Sequence, residues 1–225
     1  MPTLYIIATP IGNLEDITLR ALRALKEVNV ILCEDTRTTA KLLQKYNIKT
    51  PTVSYHSHSK LSKVEKIFSL LLEGKSLALV SDAGTPAISD PGVLLISQIR
   101  DRMPDVQVVP IPGPSAVIAA LSASGFPSSN FLFLGFLPHK KGRETLFKEI
   151  AESKRTVVFY ESPHRIMKAL ASLKEHLKSR KIAMASELTK IHEEIVFGTP
   201  EELLLFFNNN NEKIRGEFVV MVSGR

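Results

Sequence analysis

Short runs rich in Val, Ile and Leu, too brief for helices, alternate with stretches of helical spacing from the first residues onward. This alternation constrains the fold more than any other feature. A strand, a helix and a second strand in sequence return to one sheet in parallel, with the helix covering a face. Residues 4–8 read as a strand, followed by a loop and a helix carrying Leu19, Leu22 and Leu25. Residues 28–32 read as the next strand and 38–46 as the next helix. Leu61, Val64, Ile67, Phe68 and Leu71 recur at helical spacing, with Gly74 as the stop. Residues 77–80 form a buried strand, a helix opens at Val93, and 106–111 form a strand that ends in Pro112-Gly113-Pro114. Residues 1–115 are therefore expected to form an α/β domain on a mostly parallel sheet with helices on both faces.

The pattern then changes. Residues 131–134, 156–160, 182–186, 194–197 and 218–222 read as strands, two of them joined by the short polar stretch 187–193 as in a hairpin. Ser162-Pro163 has the form of a helix start with Pro at the first helical position, and Thr199 to Glu202 has capping-box spacing. A second α/β domain with a mixed sheet is expected over residues 116–225.

Charge is unevenly placed. The chain carries a net +6, yet residues 139–190 hold 13 basic and 6 acidic side chains, a net of +7. That segment opens with His139-Lys140-Lys141-Gly142-Arg143, a loop suited to meeting a polyanion. No Trp and only four Tyr are present, which argues against a broad aromatic platform for single strands. A single cysteine, Cys33, excludes an internal disulfide and a multi-cysteine zinc site and suits a reducing, cytoplasmic setting. Apolar runs such as residues 203–207 fall far short of the ~20 residues of a membrane helix. The N-terminus has no basic leader region and reads as a strand.

Several familiar sites fail on inspection. Gly74-Lys75-Ser76 ends a helix, and Ser69 stands where a phosphate-binding P-loop needs its first glycine. His56 and His58 alternate without an acidic or cysteine partner at ligand spacing, so no metal is expected. Ser81 and Ser115 lack the glycines of a nucleophile elbow.

What remains is three Gly/Pro loops at strand C-termini, where open α/β sheets bind ligands: residues 8–16, 80–92 and 111–116. Together they resemble the tetrapyrrole-methylase superfamily of S-adenosylmethionine-dependent methyltransferases. The likeness includes Thr9-Pro10-Ile11-Gly12-Asn13-Leu14-Glu15-Asp16, Cys33-Glu34-Asp35-Thr36-Arg37, Ser81-Asp82-Ala83-Gly84-Thr85-Pro86 and Pro112-Gly113-Pro114-Ser115-Ala116. It continues through Gly135 to Pro138, Tyr160 to Arg165, Glu187 to Glu193 and Gly216 to Val220. Within the superfamily these segments are most similar to the branch that methylates a cytidine ribose 2′-hydroxyl in 16S rRNA of the 30S subunit. The alternative is methylation of a tetrapyrrole, a porphyrin or corrin precursor.

The resemblance implies two α/β domains with S-adenosylmethionine in the cleft between them, as a homodimer. It implies cofactor contacts from Pro10, Gly12, Asp82, Ala83, Gly84, Thr85, Ser115 and Ala116, with Tyr160, Leu188 and Phe218 closing over the adenosine. A ribose hydroxyl is a very weak acid, so a base must take its proton. Asp35, Glu161, His164, Glu187 and Lys190 are the candidates in these motifs; Glu161 is favoured, with Lys190 next. Arg37, Lys140, Lys141, Arg143, His164 and Arg165 are expected to hold phosphates or orient the nucleotide.

Overall fold

Each apolar run of the first half becomes a strand, and the strands lie parallel in one sheet. The computed structural model describes residues 1–56, 59–177 and 179–225, so His58 lies outside the described residues. The chain divides into two compact units, Met1–Ser115 and Ala116–Arg225.

The first unit contains strands β1 (Thr3–Ile7), β2 (Val30–Cys33), β3 (Thr52–Ser54), β4 (Leu77–Leu79) and β5 (Gln107–Ile111), in the order β3-β2-β4-β1-β5. All of its pairings are parallel. Helices α1 (Leu19–Glu27) and α2 (Thr36–Lys45) bury Ala21, Leu25, Leu42 and Leu43 against one face with Ile7, Ile31 and Ala78. Helices α3 (Leu61–Leu72) and α4 (Val93–Arg102) bury Ile67, Phe68, Leu71, Leu95 and Ile99 against the other with Leu4, Leu32, Leu77 and Leu79. Alternate residues of one strand thus serve opposite cores, as the two-residue period of a strand requires. The helix predicted over residues 38–46 begins earlier, at Thr36, because the Asp35 side chain accepts from the Arg37 N–H and caps it.

The second unit contains β6 (Phe131–Phe136), β7 (Thr156–Glu161), β8 (Ile182–Ser186), β9 (Glu194–Gly198) and β10 (Phe218–Val222), in the order β6-β7-β10-β8-β9. Only β6 and β7 pair in parallel, so the sheet is mixed. On one face pack α6 (Arg143–Glu152), α7 (Ile166–Leu177) and α8 (Pro200–Asn209), through Phe147, Ile150, Leu170, Leu173, Leu203 and Phe207. On the other packs α5 (Ala116–Ser124), through Val117, Ala120 and Leu121. The last strand is buried throughout, with Phe218, Val220 and Val222 in one core and Val219 and Met221 in the other. Regular helix α7 begins at Ile166, later than Ser162-Pro163 suggested. The intervening residues wind as a tighter turn in which the Arg165 N–H donates to the Ser162 carbonyl at 3.0 Å.

Helix α8 opens on the anticipated capping box, with the Glu202 N–H donating to Thr199 Oγ1 at 3.3 Å and the Thr199 N–H to Glu202 Oε2 at 2.7 Å. Thr199→Ala removes one of these bonds. Thermal denaturation should show a loss of about 1 kcal/mol, a fall of roughly 2–4 °C in Tm for a chain of this size.

Candidate active-site loops

Parallel strands end with backbone groups that the next strand no longer satisfies, and the three Gly/Pro loops of the first unit satisfy them for one another. The Thr9 N–H donates to the Gly84 carbonyl at 2.9 Å, and the Gly84 N–H returns a bond to Thr9 at 3.0 Å. Thr9 Oγ1 donates to the Ser81 carbonyl at 3.1 Å, and Ser81 Oγ to the carbonyls of Ala83 and Gly84, each at 3.3 Å. The third loop joins through Thr85 Oγ1, which donates to the Pro114 carbonyl at 3.1 Å. Ser81 is therefore a buried structural hydroxyl.

Two glycines are needed here on geometric grounds. Gly84 sits at φ +81°, a left-handed conformation that side chains resist. A Cβ on Gly113 would lie 3.1 Å from the Ala8 Cβ, tighter than ordinary packing. Pro10 is buried beneath the cluster, whereas Gly12, Asp82 and Ala83 are exposed; Thr85, Ser115 and Ala116 are half-buried. The loops thus present main chain and one carboxylate to solvent on a braced base.

Three carboxylates, Asp82, Glu34 and Asp35, gather beside these loops, with Arg37 paired to Asp35. Asp82 Oδ1 accepts from the Asp35 N–H at 3.1 Å, bringing the ends of β2 and β4 together. Burial, and then the nearby Asp82, pushes the Glu34 carboxyl up, with His56 opposing. Glu34 was missed from the sequence, although it stands inside the motif that supplied Asp35 and Arg37. Arg37, 88% exposed, binds Asp35 at 2.6 Å and holds its carboxyl down at about 2. Asp35 is thereby a helix cap and ion-pair partner.

In the second unit the structure separates the expected site residues into three groups. Lys140, Lys141 and His164 are exposed. Arg143 and Arg165 are not free: Arg143 Nη2 reaches Glu161 Oε2 at 2.6 Å and Arg165 Nε reaches Oε1 at 2.8 Å, with the arginine side chains only 14% and 19% exposed. Glu161 itself is 0% exposed and also accepts from the Ser162 N–H at 2.8 Å. Three donors around a sealed carboxylate leave no approach for a ribose hydroxyl, so in this arrangement Glu161 is not a proton acceptor for substrate. Phe218 is likewise core, its ring edge-on to Phe207 at 5.7 Å. Tyr160 is half-buried against Phe133 and Phe136, each at 5.1 Å, and Leu188 packs partly on the core beneath α5.

Two further base candidates, Glu187 and Lys190, lie on the β8–β9 connection. Lys190 Nζ pairs with Glu187 Oε1 at 2.8 Å, with 43% and 15% of the side chains exposed. Glu187 and Thr189 hold φ of +50° and +65°, a strained state for non-glycine residues. Gly216 lies so close that a Cβ there would overlap Glu187 Oε1. Among the described residues, no group of three or more His, Cys, Asp or Glu side chains is placed to hold a metal ion.

Residues 3–204 match the tetrapyrrole (corrin/porphyrin) methylase family, and the chain belongs to it. Proteins named ribosomal RNA small subunit methyltransferase I are similar over its whole length. The protein from Vibrio cholerae is 50% identical across 99% of this chain and 77% of its own. The one from Thermotoga maritima is 45% identical across 100% of both. Among solved structures, a cobalt precorrin-4 methyltransferase of cobalamin biosynthesis superposes with TM-score 0.70 at 20% identity, covering 98% of this chain and 94% of that one. Uroporphyrin-III-C-methyltransferase from Thermus thermophilus gives 0.66 at 19%, covering 99% and 94%. These two establish the fold.

The Asp35–Arg37 pair gives a direct check. By carboxyl NMR, Asp35 should titrate near pH 2 in the folded protein and move up toward ~3.9 in Arg37→Ala. Because the folded value is depressed, the pair's contribution to stability is present above the unfolded value and is lost as pH falls through about 2.

Proposed function

We propose that the protein transfers a methyl group from S-adenosylmethionine to the ribose 2′-hydroxyl of a cytidine in 16S rRNA of the small ribosomal subunit. The observation that carries the reading is the end-to-end identity of 45–50% with relatives named for that RNA. The solved corrin and porphyrin methylases share only 19–20%. Tetrapyrrole methylation is accordingly the weaker alternative.

The residues of the first unit fit the cofactor. S-adenosylmethionine carries a cationic sulfonium and an ammonium group, and the exposed Asp82 beside Glu34 and Asp35 is an acidic setting for them. The loop main chain at Asp82, Ala83, Gly84 and Thr85, with Ser115 and Ala116, supplies amides and carbonyls on a base already braced by hydrogen bonds. Pro10 and Gly12 shape its floor. Leu188 and the main chain of Tyr160 are assigned to the adenosine, whereas Phe218, enclosed in the core, is not. The bound cofactor supplies an electrophilic methyl group.

The chain's own tasks are to align the ribose oxygen roughly 3–3.5 Å from that methyl, exclude water and remove a proton. With Glu161 sealed, the proton acceptor is assigned to the Lys190–Glu187 pair, in which the Glu187 carboxylate has the lone pairs to take the ribose proton and Lys190 Nζ holds that carboxylate in place. Lys140, Lys141 and the His164 ring are exposed and available to RNA phosphates, and Arg37 is exposed while paired with Asp35. Action on ribosomal RNA implies a cytoplasmic enzyme, and a homodimer is part of the same reading. Among the described residues, no helix is long and apolar enough to cross a membrane.

Incubation with methyl-labelled cofactor should label 30S subunits on a ribose, mapped by mass spectrometry, and leave uroporphyrinogen unlabelled; the reverse would return the tetrapyrrole reading. Calorimetry should show Asp82→Ala binding the cofactor about ten- to a hundredfold more weakly, the scale of a lost hydrogen bond to a charged group. Lys190→Met should lower turnover by roughly 10²–10⁴-fold with cofactor affinity retained.

A further inference from the structure

We propose that Glu161 is a positioning residue for RNA docking: through Arg143 and Arg165 it fixes the connection that carries Lys140 and Lys141. The proposal rests on the reading of the substrate as RNA.

Glu161 ends β7, and each of its two oxygens binds a different guanidinium group. Each arginine then reaches the same stretch of main chain. Arg143 Nη1 donates to the Pro138 carbonyl and Arg165 Nη1 to the Leu137 carbonyl, both at 3.2 Å. Two successive carbonyls at the exit of β6 are thereby tied to one buried carboxylate. The Leu137 side chain is 1% exposed within the core that also holds Phe147, and the Arg143 guanidinium lies 5.2 Å from the Phe147 ring centroid. The next residues, His139, Lys140 and Lys141, are exposed. The connection is anchored at its base and cationic at its tip.

Two physical consequences follow. Two guanidinium groups on one carboxylate leave an excess positive charge, weakly screened because both arginines are mostly covered. A polyanion approaching Lys140 and Lys141 is attracted by it. A main chain fixed beforehand also loses less conformational freedom on binding, which favours the complex without any added interaction. RNA is the polyanion favoured by the +7 carried between residues 139 and 190.

The test uses the full-length protein with 30S subunits, comparing wild type, Glu161→Gln and Arg143→Gln. Arg143→Gln leaves Glu161 paired one-to-one with Arg165, so it serves if Glu161→Gln does not fold. The KM for 30S subunits should rise about tenfold in both variants, in Glu161→Gln despite the positive charge it adds because the connection is no longer fixed, while kcat at saturating RNA and the calorimetric cofactor affinity stay at wild-type values. The salt dependence of RNA binding should flatten by about 0.7–0.9 for each RNA phosphate that the variant no longer neutralises. A kcat reduced by roughly 10²–10⁴-fold at unchanged KM would make Glu161 the base and overturn the proposal. A lowered Tm with unchanged KM and salt slope would reduce the cluster to a structural one and also overturn it. A wild-type protein that neither binds nor methylates 30S subunits would remove the RNA reading itself, and this proposal with it. A wild type that methylates them, with variants indistinguishable from it, would remove only the proposal.

Discussion

The reciprocal backbone bonds between Thr9 and Gly84 decide the shape of the first unit's functional edge. Strands β1 and β4 are neighbours in a parallel sheet, so beyond their last residues nothing in the ladder continues to pair them. The isolated antiparallel bridge at Thr9 and Gly84 takes over that role. It requires the second loop to turn back at Gly84, where φ is +81°. Once Gly84 is held, Ser81 and Thr85 fall within reach of carbonyls on their own and the third loop. A ligand meeting this edge finds amides and carbonyls already oriented and need not order them.

The second unit shows a different constraint, a charge placed where there is no water. A carboxylate removed from solvent is strongly unfavourable unless it is paired and hydrogen-bonded, and Glu161 has two guanidinium groups and a backbone N–H. Apolar side chains of similar volume are often as stabilising as a buried ion pair, so stability alone does not call for the charge here. Fixing Leu137 and Pro138 beside a cationic connection is a task that apolar packing does not perform.

The limits of the sequence reading follow from what local pattern encodes. Both sheets and the capping box of α8 were legible because strand and helix periods and cap chemistry are local. Strand β3 was missed: it is three residues long, lies at the sheet edge and is only half-buried, so no alternation marks it. The placement of β10 between β7 and β8 joins segments that no short-range signal connects. Counting charge located the basic segment but treated Arg143 and Arg165 as free. Arg165 stands four residues from Glu161, a spacing that hints at the pair, whereas Arg143 meets the same carboxylate from 18 residues away. Only the folded chain shows that these cations are committed, and that Glu161 is enclosed.

Backbone strain adds an independent line to the same loops. Among the described residues, five non-glycine positions have positive φ; Ala87 and Ser89 lie in the second Gly/Pro loop and Glu187 and Thr189 in the β8–β9 connection. Left-handed backbone costs an L-residue roughly 1–2 kcal/mol, and glycine would relieve it. Such conformations persist where surrounding contacts over-determine them, and they concentrate at functional sites. At Glu187 the constraint is visible: its carboxylate is held by Lys190 and by the lack of a side chain on Gly216. Glycine at position 187 would ease the backbone but remove the carboxylate. The strained backbone and the Lys190 ion pair thus coincide at Glu187, whose carboxylate lies against Gly216.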